Sequence, residues 1–303
     1  MLETLEPISV LGIGNMGAAL ASAFLENGHP VTVWNRTIEK AQDLVSKGAQ
    51  VSKSPAHCVQ SGTIILISLA SDEIVRDLLS EIPSLLGRTV INFTTSRPQW
   101  EIGTANLVTN QLQASGYLHG WTNSIPLEVK NHQATVMYSG PKSLFEQQKH
   151  IFQVLGKALW LSDDHKKICM LENAALSMVA GLCAGFFQSL ALAGAAGHNT
   201  IDFTQEVILP LLPLLQDILL EMAKRDQHQS YLMSDDSVSE SSVSVGTMLG
   251  LVSDARETAE TSGVSARLFE GFHDVLRQAA ESGDSLKDAS AVIQILRRDK
   301  SQC

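Results

Sequence analysis

Gly12-Ile13-Gly14-Asn15-Met16-Gly17 follows directly on a short apolar run, Ile8-Ser9-Val10-Leu11, and leads into a helical pattern. That pattern (Ala18, Leu20, Ala21, Phe24, Leu25) stops at Asn27-Gly28, and a second apolar run, Val31-Thr32-Val33-Trp34, completes a βαβ unit within the first 35 residues. In this setting the first glycine allows a tight turn. The second lets the backbone approach a pyrophosphate, and the third permits close packing of helix on strand. Gly12, Gly14, Asn15, Met16 and Gly17 are therefore read as the diphosphate-binding loop of a dinucleotide site.

The end of the second strand selects the dinucleotide. An acidic residue there would bind the 2′-hydroxyl of NAD, whereas a 2′-phosphate needs a cation and neutral donors. The tip reads Trp34-Asn35-Arg36-Thr37, with no Asp or Glu. Arg36 is available for the phosphate, and Asn35 and Thr37 offer hydrogen bonds, so the expected cofactor is NADPH. Leu69 and Ala70 end a later strand and line the path from adenosine to nicotinamide. Asn92 ends the next one, where its amide can bind the carboxamide or ribose.

Ile64–Leu69 and Thr89–Phe93 read as further strands, separated by a helix that begins near Ser71. Tyr117–His119 and Thr135–Tyr138 look like later strands, and Pro141–Leu155 like a helix. Strands alternating with helices predict a parallel sheet covered on both faces. After about Asp164 the strand signal stops. Residues 165–197 form one long helical pattern rich in small residues, followed by helices near 201–224, 246–262, 265–281 and 285–298, with a polar loop over 226–245. The expected architecture is α/β: an N-terminal Rossmann dinucleotide-binding domain over residues 1–162, then a long interdomain helix and an all-helical C-terminal domain over 163–303.

A net charge of −10 with no segregated basic patch argues against a nucleic-acid partner. Four scattered cysteines without metal-ligand spacing predict free thiols in a reducing compartment and no metal site. The N-terminal residues lack a basic region and a long apolar run, so no signal peptide is expected and the location reads as cytoplasmic. Ala174–Phe187 falls short of the roughly 20 apolar residues of a membrane span and reads as a buried helix, so no membrane partner is expected.

A Rossmann fold does not name a reaction. However, Val33-Trp34-Asn35-Arg36-Thr37, Asn92-Phe93-Thr94-Thr95-Ser96-Arg97-Pro98, Tyr117-Leu118-His119-Gly120, Ile125-Pro126 and Val136-Met137-Tyr138-Ser139-Gly140 are together fairly specific. With Gly-Ile-Gly-Asn-Met-Gly, the chain resembles the β-hydroxyacid and 6-phosphogluconate dehydrogenase superfamily. Within it, the chain looks most like imine reductases, particularly fungal-type reductive aminases. The resemblance implies NADPH-dependent hydride delivery to a C=N bond, from an imine or from a carbonyl plus an amine. It further implies a homodimer that exchanges C-terminal domains, with the cleft between one subunit's Rossmann domain and its partner's helices.

Hydroxyacid dehydrogenases of this superfamily place a lysine three or four residues before an asparagine on the interdomain helix. If Asn173 is that asparagine, the lysine position falls on Met170 or Cys169. Aligned with imine reductases, the acid position falls on Glu172. A carboxylate favours a cationic iminium, which an ammonium would repel. Glu172 is thus the expected catalytic residue, with Asn173 as an orienting group. Ala180 stands where the fungal relatives often carry tyrosine, and aliphatics around Leu214 replace a tryptophan. Trp121, Thr122, Asn123, Ala180, Thr247 and Met248 are pocket residues by family position. His119 reads as hydrogen-bonded structure, and Asp163-Asp164-His165 as a helix cap. The competing readings are a carbonyl reductase of the β-hydroxyacid dehydrogenase type, with Lys166 or Lys167 as the acid, and a non-catalytic NADP-binding protein.

Overall fold

The computed structural model describes residues 5–233 and 243–298. The chain divides into two compact units between Ser177 and Met178. The N-terminal unit therefore holds the first turns of the long helix as well as residues 1–162.

Eight strands build the sheet of the N-terminal unit: β1 (Ile8–Leu11), β2 (Val31–Trp34), β3 (Gln50–Val51), β4 (Ile64–Ile67), β5 (Thr89–Asn92), β6 (Gly116–Thr122), β7 (Ala134–Ser139) and β8 (Gly156–Ser162). Their order is β3-β2-β1-β4-β5-β6-β7-β8. All pairings are parallel except β6 with β7. The sequence pattern names four of these strands, β1, β2, β4 and β5, and marks β6 and β7 only in part; it misses β3 and β8. The helices are α1 (Asn15–Glu26), α2 (Gln42–Ser46), α3 (Pro55–Ser61), α4 (Asp72–Ser80), α5 (Pro98–Asn106), α6 (Pro126–Lys130), α7 (Lys142–Phe152) and the start of α8 (His165–Ala195).

Residues alternate between the two faces of the sheet because successive strand side chains point in opposite directions. Ile8, Val10, Ile64, Leu66, Ile91 and Leu118 fall in one apolar cluster with Leu20 and Phe24 of α1. Leu11, Ile65, Ile67, Val90 and Tyr117 fall in the other, with Val75, Leu78 and Leu79 of α4. Each such fully buried aliphatic contributes about 1.5–3 kcal/mol. Helix starts follow local chemistry. Ser54 and Ser71 accept the amide protons of His57 and Ile74, and proline stands in the first turn of α3 and α5.

Cys58 of α3 lies wholly buried, with its thiol toward the carbonyl oxygens of Thr32 and Val10. Burial pushes that thiol up to about 12.

The C-terminal unit is helical among the described residues: the rest of α8, α9 (Thr200–Phe203), α10 (Leu209–His228), α11 (Val245–Thr261), α12 (Glu270–Ala279) and α13 (Val292–Arg298). Its core gathers Tyr231, Val245, Val252, Leu276, Ala279 and Ala291. Asp226 accepts both guanidinium nitrogens of Arg297 at 2.8 Å, which pins the end of α10 to α13. The expected polar loop over 226–245 begins later than its composition suggests, because Asp226–His228 continue α10; residues 234–242 of it lie outside the described residues.

Two expectations about the long helix need correction. It has 31 residues and is apolar enough over an 18-residue window to cross a membrane by length and composition alone. Nor is it a buried helix within the single chain: Leu176, Met178, Val179, Leu182 and Phe187 are all exposed. An apolar face without a cover inside its own chain requires one from elsewhere.

Candidate active site

Gly12 sits at φ +94°, and a Cβ there would lie 2.2 Å from the Ser68 carbonyl oxygen. A Cβ on Gly17 would lie 2.0 Å from the Gly12 carbonyl oxygen. These two positions therefore hold β1, α1 and β4 in close approach, as the sequence reading required of the first and third glycines. Gly14 meets nothing within 4 Å and faces open space. It caps α1 without a side-chain bond, and the first turn carries no acidic residue. The amides of Asn15, Met16 and Gly17 have no partner within the helix, and at a helix N-terminus they favour an anion. This end of α1 stands where β1 is flanked by β2 and β4, the point at which strand order reverses and ligands bind in such sheets.

At the tip of β2, Asn35 Oδ1 accepts from the Ile13 amide at 3.2 Å, and its Nδ2 donates to the Thr37 carbonyl at 2.9 Å. The side chain thus ties the tip to the glycine loop and keeps a second Nδ2 proton and a second Oδ1 lone pair for another partner. Arg36 and Thr37 are exposed, and Arg36 makes no ion pair among the described residues. An open cradle of amides beside a free guanidinium fits the diphosphate and 2′-phosphate of NADPH.

The opposite wall begins at Leu69, whose side chain crowds Gly12 and whose amide donates to Thr94 Oγ1 at 3.0 Å. Ala70 is exposed. Asn92 is buried at the end of β5; its Oδ1 accepts from the Thr94 amide at 3.0 Å, and its Nδ2 has no satisfied partner. One residue past Thr94, the Thr95 hydroxyl donates to Glu172 Oε1 at 2.7 Å. Glu172 is buried, so it is not a solvated residue of the helix surface. Asn173 donates both Nδ2 protons to backbone carbonyls, Ser96 at 2.9 Å and Cys169 at 2.8 Å. It clamps α8 to the loop after β5 and retains only Oδ1 for any other partner.

Behind Glu172 lies a cluster that the sequence reading missed. His119 pairs with Asn92 in the β5–β6 register and is completely buried. Its Nδ1 lies 3.0 Å from Glu101 Oε2, and its Nε2 lies 3.6 Å from Glu172 Oε2. Burial is the largest single influence and opposes charge on this ring, but Glu101, Cys169 and Glu172 together raise His119 well above the usual imidazole range. For Glu101 burial again opposes the charged form most, and His119 with Tyr117 and His165 together draw the carboxyl below its ordinary value. Glu101, His119 and Cys169 bring their ligand atoms within 4.8 Å of one another. However, the 3.0 Å between Glu101 and His119 is a hydrogen-bond separation, shorter than the roughly 3.3 Å between ligands of a tetrahedral zinc ion.

No lysine pairs with Glu172 among the described residues. Lys166 and Lys167 are exposed, and Asp164 caps their turn by accepting from the Lys166 amide at 2.9 Å. His165 is not part of that cap; it packs its ring against Tyr117 at 5.3 Å. Trp121 and Thr122 continue β6 beyond the end of β5, with Asn123 exposed after them. The Thr122 hydroxyl donates to the Thr135 carbonyl and accepts from the Ser124 amide, so it serves the turn. Ala180, Thr247 and Met248 belong to the C-terminal unit, where Thr247 bonds Ser244 at the start of α11.

Residues 7–170 match the NAD-binding domain of 6-phosphogluconate dehydrogenase, and residues 164–298 match the C-terminal domain of NADPH-dependent reductive aminase-like proteins. An NADPH-dependent reductive aminase of Aspergillus oryzae is 28% identical over 296 residues, covering 97% of this chain and 98% of that one. A reductive aminase from Aspergillus terreus, solved with NADPH and ethyl levulinate, superposes with a TM-score of 0.87 at 27% identity, over 97% of this chain and 100% of that one. An imine reductase from Myxococcus stipitatus, solved with NADP+, has the same fold, with a TM-score of 0.88 at 24% identity over 96% and 99% of the two chains.

Proposed function

Because the chain belongs to the family built on the NAD-binding domain of 6-phosphogluconate dehydrogenase, with a reductive aminase-like C-terminal domain, we propose that it is an NADPH-dependent imine reductase. Its substrates are imines, supplied as such or formed from a carbonyl and an amine. The observation that carries this reading is the buried Glu172 carboxylate, held by Thr95 and joined through Thr94 and Leu69 to the edge of the glycine loop.

The residues divide the work by their chemistry. The amides at the start of α1 hold the diphosphate and Arg36 the 2′-phosphate. Asn92 stands at the nicotinamide end, with Oδ1 fixed by the Thr94 amide. NADPH, when bound, supplies the hydride for the C=N carbon. Glu172 stabilises positive charge on the substrate nitrogen, and the Thr95 hydroxyl keeps its carboxylate oriented. Asn173 fixes the helix that carries Glu172. Nothing in this set suits the alkoxide of a carbonyl reduction, which calls for a cation.

The test is NADPH consumption against cyclic imines, carbonyl-plus-amine pairs and the carbonyls alone. Imines and pairs are expected to turn over at least about tenfold faster than carbonyls, a difference of roughly 1.4 kcal/mol in transition-state binding. Faster turnover of carbonyls alone would favour the hydroxyacid dehydrogenase reading.

The proposal includes a homodimer with exchanged C-terminal domains. It is supported by the exposed apolar residues of α8 and by an apolar groove of about 460 Å3 whose lining includes Leu182, Phe186, Ile208, Leu211, Leu212 and Leu215. Light scattering is expected to give the mass of two chains, and a monomer would remove this part of the proposal. A cytoplasmic location belongs to the same reading, in keeping with free Cys58, Cys169 and Cys183.

A further inference from the structure

Glu101, His119 and Glu172 come from three separate elements, α5, β6 and α8, and meet inside the N-terminal unit. The side chains of Glu101 and His119 have no exposed surface, and that of Glu172 has 5%. Burying charged or hydrogen-bonding groups without satisfied partners is costly, so such a cluster persists only if its members compensate one another. Two carboxylates flank one imidazole, 3.0 Å on its Nδ1 side and 3.6 Å on its Nε2 side.

We propose that Glu101 and His119 are positioning residues for Glu172: Glu101 fixes the imidazole through Nδ1, so that Nε2 faces Glu172 Oε2 and steadies the carboxylate with Oε1 toward Thr95. This rests on the reading of Glu172 as the group that attends the iminium. The arrangement resembles a buried carboxylate orienting a histidine through Nδ1, except that the imidazole here acts on a second carboxylate instead of a hydroxyl.

The remaining groups around His119 leave it as the cation of the cluster. Cys169 Sγ lies 4.0 Å from Nδ1, and burial raises that thiol, which stays neutral. Burial also raises Tyr117 well above its ordinary value. Burial lowers His165, which is therefore the uncharged histidine of the pair. His119 thus stands between the carboxyl groups of Glu101 and Glu172. His119 supplies what Glu172 otherwise lacks, since no other cation pairs with it among the described residues.

The test compares the pH dependence of kcat/KM for imine reduction in the wild type, His119→Gln and Glu101→Gln, together with a 13C-carboxyl titration of Glu172 in the wild type and His119→Gln. Removing His119 strips Glu172 of its cation and leaves Glu101 as a nearby like charge, and both effects favour protonation. The acid limb of kcat/KM and the carboxyl midpoint are therefore expected to rise by about one pH unit or more, as for a carboxylate that loses a neighbouring cation. Glu101→Gln removes the charge that keeps His119 protonated, so the alkaline limb is expected to fall by about one unit. The Kd for NADPH stays within about twofold in both variants, a change of under 1 kcal/mol.

A uniform loss of activity with unshifted limbs and an unshifted carboxyl midpoint overturns the proposal. If Glu172→Gln leaves kcat unchanged, the reading of Glu172 fails instead. The carboxyl titration needs no turnover, and it still decides whether His119 acts on the Glu172 carboxylate: a raised midpoint in His119→Gln supports this, and an unchanged one overturns it. Should His119→Gln not fold, Glu101→Gln and 15N spectra of His119 in the wild type replace it, with a neutral ring at pH 7 as the overturning result.

Discussion

Replacing Glu172 by Gln is expected to lower kcat for imine reduction by roughly a hundredfold, within the range spanned by removal of a positioned acid or base. Gln has the same shape, and its amide oxygen still accepts from the Thr95 hydroxyl, which donates to Oε1 at 2.7 Å in the wild type. What is lost is the negative charge opposite a nitrogen that is positive as hydride arrives. Because the side chain lies apart from the diphosphate cradle, the Kd for NADPH should stay within about a factor of two. The measurement is steady-state turnover of one cyclic imine beside NADPH binding by fluorescence. A kcat unchanged within error would remove Glu172 from the chemistry.

The second large effect falls on the cofactor. Arg36→Glu is expected to raise KM for NADPH on the order of a hundredfold while moving KM for NADH by only about threefold. A charge-assisted hydrogen bond contributes about 1.5–3 kcal/mol, and the substitution also places like charge against the 2′-phosphate. NADH lacks that phosphate and feels neither change. Arg36 is exposed and free of ion pairs among the described residues, so the substitution breaks no internal contact. Equal effects on both coenzymes would remove the assignment of Arg36.

The glycine loop, its strands and the tip of β2 were legible because each depends on neighbours in sequence. Gly12 and Gly17 report backbone approaches that admit no Cβ, and short apolar runs between turn residues report buried strands. β8 escaped because it is an edge strand whose residues Gly156–Ser162 are only partly buried, so Lys157 and Trp160 blur its pattern. α3 and α5 carried the signals that were used elsewhere, a capping serine at Ser54 and prolines at Pro55 and Pro98. For Asn35 the sequence did not show the local part of its role: its amide also accepts from Ile13 and donates to the Thr37 carbonyl, bonds that depend on the turn geometry.

Glu172 and a hydrogen-bonded His119 were each read from the sequence, but their meeting with Glu101 in one cluster was not. Its members are 18 and 53 residues apart along the chain, and only the parallel β5–β6 pairing and the return of α8 bring them together. One faint signal existed. The period of two in β6 puts Tyr117, His119 and Trp121 on the same face, an unusual row of groups with polar atoms for a central strand.

Cys58 has a consequence of a different kind. A sulfur that ionises only near 12 and lies beneath β1 and β2 is closed to alkylating reagents while the sheet is intact, since the thiolate is the nucleophile. Its labelling rate therefore times the opening of the sheet itself. Cys183 is exposed on α8 within the single chain and lines the groove assigned to the partner, so its labelling reports the dimer and not the sheet. The native chain thus carries its own clock for unfolding, with no probe to be engineered in.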